Sequence, residues 1–247
     1  MFNTLRSQTD AQGKTIFIAG PYEFISDDGQ DHAEEESYAP LVKAYEKLNY
    51  DTGALSPAEA AKFASLGLAP PKGWVVLDAK EPKTVILNTA QGKVGVIFFP
   101  ETKASAKGDE HAAPGSDLIL AIERKIKELR PQVNLVVGVS PWGVQDESDY
   151  LEKTKPGLNM LLGSGPGIGF MAKPAADGKV LWMHSYSKGK ALYTVDLLAW
   201  PGAKDSTWEA GKNYTTKAVI LDQDVSPDPG MEQLLQGVPD PGDKHAK

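Results

Sequence analysis

The chain contains no cysteine, and this absence removes several kinds of chemistry at once. Without thiols there are no disulfide bonds, no thiolate metal ligands and no cysteine nucleophile. Histidine is scarce as well, with four residues at His32, His111, His184 and His245. No two of these have the close spacing that is typical of a metal site. We therefore predict surface or structural roles for all four, and His184, at the end of a predicted strand, is the best candidate for a site.

Long apolar runs and an excess of positive charge are also absent. No run approaches the roughly 20 apolar residues that a membrane-spanning helix requires, so no span is predicted. The formal net charge of −7 disfavours broad binding to nucleic acid or to anionic lipid. The apolar content of 41% and charged content of 24% are typical of a soluble globular protein. The first seven residues lack the apolar stretch of a signal peptide.

The apolar periodicity predicts an α/β fold in which strands and helices alternate. Strands are predicted at 15–19, 74–77, 84–87, 94–99, 134–139, 158–162, 180–184, 191–198 and 215–221. Helices are predicted at 37–48, 57–66, from a Ser116 cap to Pro131, at 146–153 and at 231–235. The segment 134–139 is apolar throughout, which indicates a strand covered on both faces of a sheet. The strand, helix and strand that it begins predict a parallel crossover.

No linker-like stretch divides the chain, so we predict one domain over residues 1–226. The remaining segment, 227–247, is rich in proline and charge. It is predicted to form a short helix followed by a disordered tail.

Five segments follow one another in a familiar order, at 48–59, 93–99, 134–143, 156–167 and 226–229. The fourth ends in Leu-Leu-Gly-Ser-Gly-Pro-Gly, directly after an apolar strand. In order and spacing these segments resemble the metallophosphoesterase domain of the 5'-nucleotidase and UDP-sugar hydrolase family. The resemblance implies a β-sandwich of mixed sheets flanked by helices. It also implies that the first strand of the family is missing.

Relatives in that family hold two divalent metal ions, such as Zn²⁺ or Mn²⁺, which polarise the phosphoryl group and generate hydroxide. Such ions require imidazole, carboxylate and amide ligands. The resemblance places the ligand motifs of the family at Gly20, Pro21, Pro57, Ala58, Ser140, Pro141, Trp142, Gly165 and Gly167. The expected aspartate falls on Pro21, and the last two histidines fall on Gly165 and Gly167. The residues that replace the ligands have no side chain that can coordinate a metal; they are Pro21, Pro57, Ala58, Pro141, Gly165 and Gly167.

The resemblance therefore predicts a degenerate domain without a metal cofactor, a pseudoenzyme that binds an unknown small molecule or protein or serves as a scaffold. Relatives are commonly exported, which implies an extracytoplasmic location. Ligands of α/β sheets bind at the carboxyl ends of strands, so a cleft is predicted at Trp142, His184 and Tyr186. Trp142 is expected either to fill the core or to fill the space that metals and phosphate occupy in relatives.

Other interpretations are left open by the residues. The chain could instead be an active metal-dependent hydrolase of nucleotides or other phosphate esters, with Asp51 and Glu59 as the carboxylates near the second mapped loop. The glycine tract could bind an anion through backbone amides, although a tight turn is favoured. The acidic stretch 26–36 does not match a calcium loop and is expected to be a solvated loop. Residues 140–143 are not a nucleophile elbow, which disfavours a serine hydrolase.

Overall fold

The structure is a computed structural model that describes residues 15–26, 31, 33–102, 114–154, 156–185, 191–201, 207–222 and 225–239. The chain forms two compact units, one of Met1–Val76 with Gln223–Lys247 and the other of Leu77–Asp222. These compact units do not test the predicted single domain over residues 1–226, which stays a prediction. The predicted tail beyond residue 239 lies outside the described residues.

Five helices and ten strands of the described residues are used below to place the candidate site. In chain order they are α1 Glu35–Leu48, β1 Gly53–Leu55, α2 Pro57–Ser65, β2 Trp74–Val76, β3 Lys83–Asn88, β4 Lys93–Phe98, α3 Ser116–Leu129, β5 Leu135–Ser140, α4 Val144–Thr154, β6 Met160–Gly163, β7 Phe170–Ala175, β8 Val180–His184, β9 Ala191–Leu197, β10 Tyr214–Ile220 and α5 Pro229–Leu235.

The first unit contains α1, α2, α5 and a two-stranded parallel sheet of β1 and β2. Helix α2 begins with a capping box, in which the Ser56 side chain accepts from the Glu59 amide and the Glu59 carboxylate accepts from the Ser56 amide. This satisfies two backbone donors that the start of a helix would otherwise leave without partners. Helix α1 ends at Leu48, and the C-cap residue Asn49 takes the left-handed conformation with φ 54°. Both helices occur where the apolar periodicity predicts them.

The predicted strand at 15–19 is not a regular strand. Only Ile18 forms a bridge, with Thr52, and two backbone hydrogen bonds join Phe17 and Ala19 to this neighbouring segment. The ladder stops at Gly20 and Pro21, because proline has no amide hydrogen to continue it. The apolar run is therefore used for burial, since Phe17 and Ala19 are both in the core.

The second unit is built on a six-stranded mixed sheet in the order β3-β4-β5-β6-β8-β7. The four inner strands are parallel, and the edge strands β3 and β7 are antiparallel to their neighbours. Every residue of β5 is buried, as its apolar sequence predicts, and α4 connects it to the parallel strand β6. The α/β prediction, the burial of β5 on both faces and its parallel crossover are confirmed.

The core of this unit lies between the sheet and helices α3 and α4. It joins helical residues such as Ile122, Ile126 and Leu151 to strand residues such as Val136 and Leu161. The remaining strands β9 and β10 pair as an antiparallel ribbon. Among the described residues, no helix has the length and apolar content needed to cross a membrane.

Two details of this unit differ from the sequence-based expectations. Ser116 is the first helical residue of α3, and the preceding Gly115 occupies the cap position without a side-chain hydrogen bond. Strand β7 is not predicted at all, because Pro174 interrupts its pattern. Proline is tolerated there because β7 is at the edge of the sheet, where one side of the strand needs no backbone donor.

Candidate functional site

In the first unit, the mapped positions lie around the start of α2 and the loop after residue 19. Pro57 and Ala58 are exposed in the first turn of α2, whereas Pro21 is buried. None of these side chains has a donor atom for a metal. These three mapped positions therefore provide no side-chain ligand for a metal.

Glu59 is a buried acid of the same region, and its carboxylate accepts hydrogen bonds from the backbone. Its oxygens accept hydrogen bonds from the amides of Tyr22 at 3.2 Å, Phe24 at 2.8 Å, Ile25 at 3.3 Å and Ser56 at 2.7 Å. Burial raises the pKa of Glu59, and these backbone donors oppose that rise. Two backbone amides donate to each carboxylate oxygen, so Glu59 links the loop 22–25 to the start of α2.

Asp51, the other carboxylate of the active-hydrolase alternative, also binds the backbone. Its Oδ2 accepts from the Phe17 amide at 3.0 Å. In the acidic stretch, Asp31 accepts from the Tyr38 hydroxyl at 2.7 Å and forms an ion pair with Lys62 at 3.1 Å. The carboxylate of Asp31, in the described part of this acidic stretch, is therefore bound by two protein side chains.

In the second unit, three residues of the inner strands lie side by side at the carboxyl ends. The register pairs Ser140 of β5 with Gly163 of β6, and Gly163 with His184 of β8. This is the edge of a parallel sheet at which α/β proteins usually bind ligands. The structure thus brings Ser140 and His184 to the two sides of one glycine.

The two loops that leave this edge, 140–143 and 163–167, are closed on each other by backbone contacts. The Ser164 amide donates to the Ser140 carbonyl at 2.9 Å, and the Val144 amide donates to the Pro166 carbonyl at 3.0 Å. A β-carbon on Gly165 would lie 2.2 Å from the Pro141 carbonyl oxygen and 2.5 Å from the Gly143 nitrogen. Both distances are far below van der Waals contact, so the neighbouring backbone excludes any side chain at Gly165.

Gly167 is closed in a similar way. Its φ is +136°, and a β-carbon there would lie 2.5 Å from Cγ2 of Val144. Glycine is required at such a position because other residues rarely adopt this backbone conformation. The mapped ligand positions therefore do not fit a two-metal centre, since Pro141 has no donor atom and the two glycines have no room for an imidazole. Among the described residues, no group of three or more histidine or acidic side chains could hold a metal ion.

Trp142 is part of the core of the second unit. Its indole nitrogen donates to the Pro100 carbonyl at 2.8 Å, and its ring lies 4.9 Å from that of Phe99 and 5.6 Å from that of Tyr150. These contacts fit the expectation of a core-filling tryptophan. The idea that Trp142 replaces metals and phosphate stays a prediction.

His184 is buried at the end of β8, and burial lowers its pKa. Its Nδ1 lies 3.1 Å from the Ser185 carbonyl oxygen, and its ring lies 6.0 Å from that of Phe170. Tyr186, the third residue of the predicted cleft, lies outside the described residues, as do His32, His111 and His245. The cleft as a whole therefore stays a prediction.

Glu147 is a buried acid that is not among the residues predicted from the sequence. It lies in the first turn of α4, where Oε2 accepts from the Trp182 indole at 2.8 Å. Burial raises its pKa to about 8, although hydrogen bonds from Trp182, Ser140 and the Gly143 amide act in the opposite direction. A helical pattern could have identified it, because Glu147 precedes Tyr150 and Leu151 by three and four residues and shares their buried face.

Comparisons with known proteins do not place the chain in a family. No model of a known protein family matches the sequence. No curated protein matches it either.

Proposed function

We propose that the chain is a 5'-nucleotidase-like metallophosphoesterase domain that has lost its two-metal centre and now acts in binding or as a scaffold. The proposal combines the resemblance of the five segments with the chemistry of the mapped positions. Proline, alanine and glycine occupy the positions of the metal ligands, and these residues cannot coordinate a cation through their side chains. The chain thus combines the segment order of a hydrolase with a site that lacks its reactive groups.

The observation that carries most weight is the packing at Gly165. Regaining a histidine at this position would require the backbone of residues 141–143 to move, since a β-carbon alone would already overlap it. A simple loss of one side chain would have left an empty space at this position. Closure by the backbone instead supports a site that has been rebuilt for a role other than metal-dependent hydrolysis.

The test is a joint measurement of metal content and phosphatase activity. The purified protein is equilibrated with Mn²⁺ and with Zn²⁺, dialysed, and analysed for bound metal. Hydrolysis is then measured with a nucleoside monophosphate, a UDP-sugar and p-nitrophenyl phosphate. We expect no stoichiometric metal and no turnover above the buffer rate. Two bound ions per chain together with metal-dependent turnover would refute the proposal and favour the active-hydrolase alternative.

A binding role would have a small-molecule or protein ligand near the carboxyl ends of the inner strands. Trp142 and Trp182 both lie close to this edge, the first after β5 and the second on β8. A nucleotide or sugar phosphate that binds there should change their fluorescence. If a panel of such compounds gives no signal and no calorimetric heat, the scaffold role becomes the favoured form of the proposal.

A further inference from the structure

Three partly exposed aromatic side chains lie against one another in the first unit. They are Tyr45 on α1, Tyr50 in the segment after it, and Trp74 at the start of β2, and together they are called the aromatic cluster below. The ring centroids of the two tyrosines are 5.9 Å apart, and that of Trp74 is 5.5 Å from Tyr45 and 6.1 Å from Tyr50. Tyr45 and Trp74 pack against the buried Phe24, so the aromatic cluster forms a boundary between core and solvent.

The orientation of these rings is suited to a cation. The plane of Trp74 is nearly perpendicular to the planes of Tyr45 and Tyr50, at 82° and 86°, whereas the two tyrosine planes differ by 27°. Perpendicular rings form a corner in which one cation can lie over more than one ring face. The attraction between a cation and a ring extends to about 6 Å from the centroid, so one ion can be within reach of all three rings.

A carboxyl group lies at the rim of the aromatic cluster. Glu23 is exposed, and its Oε2 accepts a hydrogen bond from the Tyr45 hydroxyl at 2.5 Å. Among the residues that the structure describes, no lysine, arginine or histidine forms an ion pair with Glu23. A carboxylate that lies beside electron-rich rings without a positive partner attracts a cation through its own charge and through the ring faces.

The backbone on both sides of Glu23 fixes its position. The amides of Tyr22 and Phe24 both donate to the Glu59 carboxylate, at 3.2 Å and 2.8 Å. Tyr22 takes φ 74°, a left-handed conformation that a bulky residue rarely adopts. Such residues persist where the surrounding structure holds them, and they occur often at ligand sites. The loop therefore holds Glu23 at the Tyr45 hydroxyl before any ligand binds.

A glycine supports the indole of Trp74. Gly53 of β1 is paired with Trp74 in the register of the parallel sheet. A β-carbon on Gly53 would lie 2.5 Å from Cε2 and 2.6 Å from Cδ2 of the indole, so the ring lies directly against this glycine. The indole is therefore held in place by the sheet. Binding groups that are already ordered lower the entropic cost of taking up a ligand.

We propose that Glu23 and the aromatic cluster bind a quaternary ammonium cation, and that the ligand is a small solute of the choline type. The ring faces contact the methyl groups of the cation, and the carboxylate balances its charge. Ring faces cannot replace the water around a metal ion or a primary ammonium group, so the weakly hydrated methylated cation is favoured. No covalent bond is made or broken. The site lies within the first unit and does not depend on the proposed function.

The charge on Glu23 gives this binding a defined pH dependence. Loss of solvation raises the pKa of Glu23 to about 7, and the Tyr45 hydrogen bond opposes this rise, whereas the neighbouring Glu59 adds to it. The pKa values of Tyr45 and Tyr50 are raised, so both hydroxyls stay neutral near pH 7. Backbone hydrogen bonds favour the charged form of Glu59. Because the ionised form of Glu23 binds the cation, the affinity should increase about tenfold from about pH 6 to 8.

The first experiment uses the wild-type chain and two probes of the same shape. Choline is compared with 3,3-dimethyl-1-butanol, in which carbon replaces the charged nitrogen, and binding is followed by the NMR signals of the Trp74 indole and the Glu23 amide. We expect saturable shifts with choline and an affinity that is roughly tenfold or more weaker for the neutral compound. Equal affinities would indicate a hydrophobic surface and overturn the proposal. No saturation at millimolar choline, or binding to phosphatidylcholine vesicles without binding to choline, would also overturn it.

The Glu23→Gln variant tests the carboxylate. It removes the charge and keeps an oxygen that can accept from Tyr45, so the choline affinity near pH 8 should fall at least about tenfold and lose its pH dependence. The control Glu36→Gln makes the same change in net charge at an exposed position of α1 and should leave both unchanged. Wild-type affinity and pH dependence in Glu23→Gln would refute the site. The comparison of the two probes and the pH series use wild-type protein, so they decide the question if the variant fails to fold.

Discussion

At the scale of single residues, the stability of both units depends on carboxyl groups and glycines in tight surroundings. Glu59 supplies acceptors to four backbone amides, and Glu147 lies beneath a strand end that only glycine can occupy. Replacing the Glu59 carboxylate would remove hydrogen-bond acceptors. Adding a side chain at Gly163 would fill the space that the His184 ring occupies. Substitutions at these positions therefore test the packing directly.

Gly163→Ala tests the close packing of the Glu147 and His184 side chains against β6. The new methyl group would overlap the imidazole and the carboxyl group, and we expect a loss of about 1 to 3 kcal/mol in the free energy of unfolding. Urea unfolding followed by tryptophan fluorescence measures this loss. The control Gly115→Ala, where a β-carbon meets nothing within 4 Å, should cost less than about 1 kcal/mol, the difference between glycine and alanine at a helix cap. Equal effects of the two changes would contradict the packing at Gly163.

Glu59→Gln tests whether this acid is structural. An amide group would replace one oxygen and face amide donors without accepting from them, at a cost of about 1 to 3 kcal/mol for each donor left without an acceptor. Thermal unfolding and urea unfolding should both show the loss. The control is Glu46→Gln, which is exposed on α1 and should change stability little. A Glu59→Gln protein as stable as wild type would show that the four hydrogen bonds do not hold the loop.

At the scale of elements, the connections between strands decide which residues meet. Pairing of β5 with β6 begins at Val137 and Met160, so the Val136 amide is outside that ladder. The Asn159 side chain replaces the missing acceptor, with Oδ1 at 2.8 Å from the Val136 nitrogen and 2.8 Å from Nη1 of Arg130. One side chain thus joins the starts of β5 and β6 to the segment after α3.

Asn159→Ala should weaken this junction. It leaves a buried amide and a half-buried guanidinium without their shared acceptor, and we expect a loss of about 2 to 4 kcal/mol in the free energy of unfolding. Chemical denaturation provides the measurement. Asn88→Ala is the control, because Asn88 is exposed at the end of the edge strand β3 and its replacement should change stability by less than about 0.5 kcal/mol. A similar small effect at Asn159 would contradict the assigned junction.

At the scale of the whole molecule, each compact unit has its own hydrophobic core. The cluster around Phe24, Tyr38 and Phe63 lies in the first unit. The cluster around Ile97, Trp142 and Leu161 lies in the second. A domain generally requires one core of its own to fold independently. The second unit, with 146 residues between Leu77 and Asp222, is in the size range of such domains.

We therefore expect residues 77–222 to fold when expressed alone. The fragment should show near-ultraviolet circular dichroism from fixed aromatic rings and a single cooperative unfolding transition. Leu161→Ala, a fully buried core change, should lower the stability of this fragment by about 2 to 5 kcal/mol. A fragment without a cooperative transition would show that the predicted single domain over 1–226 describes the folding unit better than the two compact units do.

Much of the fold is predictable from the sequence because local patterns determine it. The apolar run of β5, the Gln91-Gly92-Lys93 turn and the stripe of α3 each specify an element through burial or turn chemistry within a few residues. Strand β7 and the irregular segment at 15–19 are not predictable in this way. Their state depends on position at the edge of a sheet and on where backbone donors find partners, which only neighbouring segments decide.

The sequence by itself determined the missing chemistry, because a residue without a donor atom lacks one in any fold. Cysteine is absent, and Pro21, Pro57, Ala58, Pro141, Gly165 and Gly167 offer no side-chain ligand wherever they lie. Only the tertiary structure decided that Glu147 and His184 both lie against Gly163, since Glu147 is on the crossover helix α4 and His184 is paired with Gly163 by the register of β6 and β8. Local sequence patterns do not specify that register. It follows from burying the apolar faces of β5, β6 and β8 together with α4, which is a property of the whole unit.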